Sequence, residues 1–158
     1  RCLMWYKLDL SDYEPREVRN YLEFTEYKFS PYQLEAIQKE LDNFKDSFGK
    51  EWKAWELSDL KYRLENNWTF YLIGSGRTGE IILEGWAFID WNQDKPKLCK
   101  KYVVPKYRGT GLNLDLIWIR CNELIKKGYK EAIMHISDWN KPAKKGLDEK
   151  IFTEIKDI

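Results

Sequence analysis

"VVPKYRGTGLN", residues 103–113, is the stretch whose reading decides the fold. An apolar strand end meets Pro105, then Lys106 and Arg108, then two glycines, and a helical pattern follows over 111–128. Glycines between a strand and a helix let backbone N–H groups turn toward one centre. A helix that opens near Gly111 adds the positive end of its dipole. Together these predict an anion site suited to phosphate, with Lys106 and Arg108 as added charge. Two other phosphate loops do not fit. There is no GxxxxGK followed by Ser or Thr, and GxGxxG fails because Leu114 stands at its third glycine. Taken alone, a tight turn with an exposed arginine also explains the stretch.

Working outward, the helix over 111–128 carries Leu114, Ile117, Trp118, Cys121 and Ile125 on one side and stops at Gly128. Strands are expected on both sides of this unit, at 97–104 and 129–137. Before it, 68–74 and 79–91 are rich in aromatic and β-branched residues around "SGRTG", an antiparallel hairpin. Further back, Ser30 caps a helix over 30–48 with Pro31 in its first turn, and Leu34, Ile37, Leu41 and Phe44 at helical spacing. A shorter helix follows at 56–67. The N-terminus reads as a strand over 2–10, then a helix over 11–24 with Ser11 and Glu14 as a capping box. After 137 the pattern gives a short helix at 140–149 and a last strand at 150–155. The fold class expected is α/β (α+β), a mixed sheet with helices on it, in one domain over 1–158.

Composition limits the function classes. The chain has 158 residues, 43% apolar and 34% charged, with a net charge of +1. A strong electrostatic nucleic-acid binder would carry a clear basic excess, so nucleic acid is an unlikely partner. Eight tryptophans permit an aromatic-lined pocket as well as a core. Cys2, Cys99 and Cys121 are widely spaced with no CxxC, so neither a disulfide framework nor a metal site is expected. No apolar run reaches the roughly 18 residues of a membrane span, and no signal peptide is visible. A reducing cytoplasm is the expected compartment.

The segment "YVVPKYRGTGLN" resembles the acyl-CoA-binding motif of the GNAT superfamily of N-acetyltransferases. Val103, Pro105, Tyr107, Arg108, Gly109 and Gly111 stand as that family has them; Asn113 replaces a small Gly or Ala. Downstream, "KKGYKEAIMHIS" is similar to the family's next strand. Asn140 and Ala143 fit its N-x-x-A, while Leu147 takes the place of its tyrosine. The family also has one more C-terminal strand than this sequence supplies, so the resemblance leaves that strand missing, replaced or given by a partner.

The resemblance implies a mostly antiparallel sheet flanked by helices, with a splayed parallel strand pair at 97–104 and 129–137. It implies acetyl-CoA or another acyl-CoA as co-substrate, its pyrophosphate on the amides of Arg108, Gly109, Thr110, Gly111, Leu112 and Asn113. Tyr102, Val103, Val104, Asn140 and Ala143 would flank its pantetheine arm. An amine would attack the thioester directly, with a base to take its proton and a backbone donor near Val103 or Val104 for the oxyanion. Glu84 on the long hairpin strand and His135 on the second splayed strand are the candidate bases. Because Leu147 cannot protonate the thiolate, Tyr102, Tyr107 or water would do so, or the thiolate would leave unprotonated. No metal is called for. The expected partners are a small-molecule or peptide amine and, in one reading, a second copy in a homodimer. Two alternatives stay open: a GNAT-like binding or scaffold module without catalysis, and, less favoured, a nucleic-acid module using "KKYVVPKYR".

Overall fold

A computed structural model describes residues 3–47, 56–75, 81–137 and 146–155. Among the described residues seven strands form one sheet in the order β2-β3-β4-β5-β6-β1-β7. In chain order these are β1 (Leu3–Asp9), β2 (Leu22–Phe24), β3 (Trp68–Ser75), β4 (Ile82–Asp90), β5 (Lys97–Val103), β6 (Glu131–Ser137) and β7 (Phe152–Ile155). Every pairing is antiparallel except β5 with β6. The helices are α1 (Pro31–Ser47), α2 (Leu57–Glu65) and α3 (Leu112–Lys126).

Alternation along β4 sorts the helices onto two faces. Trp86 and Phe88 pack with Ile37 and Leu41 of α1 and Leu60 and Leu64 of α2. Ala87 and Ile89 pack with Leu116, Ile117 and Leu124 of α3. Gly85 sits where α3 presses closest: a Cβ there would meet the Tyr102 carbonyl oxygen at 2.8 Å and Leu112 at 3.0 Å. The cap expected for α1 and the stop expected for α3 are present. Ser30 Oγ accepts from Gln33 N and Gln33 Oε1 from Ser30 N, a reciprocal pair at the start of α1. Gly128, at φ 87°, ends α3 and donates to Ile125 O.

One expectation about the N-terminal region is corrected. Residues 11–21 are not helical, and 22–24 form an edge strand on β3. The Ser11 hydroxyl and amide both turn back to Asp9 Oδ1, so this side chain serves a local turn and caps no helix. The segment then lies along α3. Asn122 accepts from Arg16 N and donates to Arg16 O, Tyr21 donates to Glu123, and the Arg16 guanidinium stacks 3.8 Å from the Trp118 ring centroid. Side chains of α3 thus meet backbone groups that a helix would have satisfied internally.

The strand expected over 2–10 is present as β1, which lies between β6 and β7 and is antiparallel to both. The slot in the sheet beyond β6 is thereby filled by the first strand of the chain. The expected short helix at 140–149 falls partly outside the described residues, and 146 and 149–151 form turns. Among the described residues no helix is long and apolar enough to cross a membrane.

Candidate functional site

Two features of the sheet converge at the end of β5. The first is a parting of strands. Among the described residues β5 and β6 pair only at Lys97 with Ile133 and Leu98 with Met134, and from Cys99 onward β5 has no partner on that side. A bulge at Trp86–Phe88 opposite, with Lys100 at φ 55°, turns the strand at the point of parting.

The second is the loop at its head. Pro105–Tyr107 form a 3-10 turn, and Gly109 and Gly111 adopt φ 79° and 85°, a conformation that favours glycine. Thr110 Oγ1 donates to Tyr107 O at 2.6 Å and Arg108 Nε to Val103 O at 3.2 Å, which fixes the turn. The amides of Gly109, Thr110 and Gly111 have no acceptor among the described residues. They adjoin the free first-turn amides of α3, the positive end of a 15-residue helix. Arg19 comes from the N-terminal strap to this loop, donating to Thr110 O while pairing with Asp115 at 3.1 Å. That leaves the one first-turn acid neutralised. Cationic charge, free amides and a dipole therefore suit a phosphate, and the residues present fit the pyrophosphate of the acyl-CoA that the resemblance implies. Arg19 escaped the sequence reading because only the strap's path brings it within reach of residue 110.

A cavity of about 530 Å³ lies between α1, the start of β4 and residues 104–107. Ala36, Ile82, Leu83, Val104 and Tyr107 give it an apolar lining, and Lys39 and Lys106 stand exposed at its edge. Glu40 of α1 also lines it, only 7% exposed. Asn43 donates to both Glu40 oxygens, at 3.3 and 3.4 Å, and Glu40 pairs with no cation among the described residues. Glu40 was missed in the sequence. Its signal was there: with Ile37 and Leu41 it shares the buried stripe of α1, where a carboxylate is out of place.

The expected residues distribute unevenly. Tyr107 and Val104 line the cavity, and Tyr102 is buried against Trp86 with ring centroids 4.7 Å apart. Burial, with the Glu40 charge second, pushes the Tyr102 phenol up to about 12, so it stays protonated at neutral pH. Glu84 is half-buried at the irregularity between β3 and β4, and its carbonyl takes the Val104 amide at 2.9 Å. It is not among the cavity-lining residues, and neither is His135. His135 packs on Trp5 with centroids 5.0 Å apart, and burial with Lys97 and Lys100 nearby lowers it to about 4. Leu112 is buried under the sheet, and Asn113 is half-buried in the first turn of α3. Leu147 packs against the α3 core. Asn140 and Ala143 lie outside the described residues. Cys99 and Cys121 are buried free thiols, raised by burial to about 11 and 12, and so unsuited to nucleophilic chemistry.

No protein-family model matches the sequence, and no curated protein matches it. Solved structures do. A GCN5-related N-acetyltransferase from Sphaerobacter thermophilus is similar at TM-score 0.58 and 15% identity, over 93% of this chain and 45% of that one. A tandem GNAT protein from the clavulanic acid biosynthesis pathway is similar at TM-score 0.58 and 13% identity, over 89% of this chain and 46% of that one. An acetyltransferase from Trypanosoma brucei is similar at TM-score 0.54 and 19% identity, over 82% of this chain and 93% of that one. This chain spans about half the length of the first two. A mostly antiparallel sheet with one parallel pair and these likenesses agree, and the chain has a GNAT-like fold.

Proposed function

We propose that this domain is an acyl-CoA-dependent N-acyltransferase, moving an acetyl or related acyl group to a primary amine. The observation that carries the reading is the parting of β5 and β6 directly below the free amides of Gly109, Thr110 and Gly111. The parted β5 offers unpaired backbone to an extended amide-bearing arm, and the loop offers amides and arginines to a pyrophosphate. Bound acyl-CoA would supply an activated acyl carbon for the amine nitrogen to attack. Arg108 and Arg19 hold charge at the loop. Tyr107 lines the adjoining cavity, so its phenol is the group proposed to return a proton to a departing thiolate; Tyr102, buried against Trp86 and protonated at neutral pH, is the alternative. Glu84 and His135 are the proposed bases from sequence, though the carboxylate that faces the cavity is Glu40.

Calorimetric titration with acetyl-CoA, and with CoA, tests the reading. Wild type is expected to bind both, and Gly111→Trp to lose both while keeping its melting temperature within a few degrees. A folded wild type that binds neither overturns the proposal. Binding without turnover of any amine in a broad screen would select the scaffold alternative.

A further inference from the structure

Resting on the acyltransferase reading, the geometry points to the class of acceptor: a monocationic primary amine with a compact apolar or aromatic body, its ammonium held by Glu40. A carboxylate this buried is costly unless a cation or several donors meet it. Asn43 provides two long hydrogen bonds and the described residues provide no cation. The carboxylate faces a cavity of about 530 Å³, within the range of small-molecule sites. An incoming ammonium would supply the missing charge.

The rest of the lining sets the body of the ligand. Ala36, Ile82, Leu83, Val104 and Tyr107 offer apolar and aromatic contact and little hydrogen bonding. The rim sets its charge. Lys39 and Lys106 flank the opening, so a second positive charge on the ligand would meet like charges there. Polyamines are therefore disfavoured, and one ammonium on an apolar frame is favoured. The cavity also touches Val104 and Pro105, which continue the parted strand β5 into the glycine loop. The acceptor site and the phosphate cradle are thus neighbours along one stretch of chain.

The test uses 2-phenylethylamine as probe, with neutral 2-phenylethanol and tricationic spermidine as controls. Binding is followed by NMR without acetyl-CoA, and acetyl-CoA affinity is measured separately by calorimetry. Wild type is expected to bind the amine well above the alcohol and above spermidine. Glu40→Gln keeps the shape and removes the charge, and is expected to weaken amine binding on the order of thirtyfold with acetyl-CoA affinity unchanged. Ala36→Phe, which narrows the cavity and leaves the carboxylate, is expected to weaken the amine too. Equal amine affinity in wild type and Glu40→Gln overturns the inference. So does a wild type that takes up acetyl-CoA but not the amine, or that prefers spermidine. Loss of acetyl-CoA binding in wild type sinks the acyltransferase reading, while the amine titration still judges the cavity by itself.

Discussion

Lys101 sits on β5 with its Nζ buried near the Arg120 guanidinium, and with no hydrogen-bond partner among the described residues. Burial, and Arg120 second, lower it to about 7. Arg120 is 1% exposed but donates to Leu116 O at 2.9 Å and Phe88 O at 3.2 Å, so its charge is better met. Between pH 7 and 10.5 the unfolded chain binds more protons at this lysine than the folded one, so stability rises with pH there. Below pH 7 both states are protonated and the cost is present in full. Lys101→Met keeps the stem and removes the charge. It is expected to be more stable than wild type by roughly 3 kcal/mol at pH 6, with the gap narrowing toward pH 10. Urea unfolding at the two pH values checks this; a gap that is constant with pH would show that the charge is met by other means. Nothing in "KLCKKYVV" distinguishes Lys101 from Lys100. The bulge that turns one inward and leaves the other exposed depends on the pairing with β4.

At the scale of elements, helix α3 must lie close to β4 for its amides to stand at the head of β5. Gly85 permits that approach. Gly85→Ala is expected to cost about 2 kcal/mol, read as a melting point lower by about 6 °C, because the Tyr102 carbonyl is backbone and cannot step aside. An unchanged melting point would mean that the helix yields without cost. The helices α1, α2 and α3 were legible in sequence because each has a periodic apolar face and a stop or cap written locally. The strap over 11–21 was not. Its apolar residues Tyr13, Val18 and Tyr21 mimic helical spacing, but their partners are on α3, a hundred residues away.

At the scale of the molecule, β1 is the strand that closes the sheet. It pairs with β6 along its whole length and with β7 over Trp5–Leu8, and Leu8 is fully buried. Removing residues 1–10 would leave β6 and β7 with no common partner and open the α3 core. The deletion is expected to abolish cooperative unfolding, monitored by near-ultraviolet circular dichroism and calorimetry. A shortened chain that still melts cooperatively would show that β6 and β7 can close on each other.

By itself the sequence determined the elements and the chemistry of one loop. Hydrophobic period, caps and glycines act over a few residues, so the strand, the turn of "VVPKYRGTGLN" and the helix after it are all encoded nearby. The tertiary structure decided what lies between elements. It placed β1 beside β6, brought Arg19 to Thr110 and left Glu40 facing a cavity. Strand order and side-chain neighbours depend on which distant surfaces bury each other best, and that balance is a property of the whole packed chain.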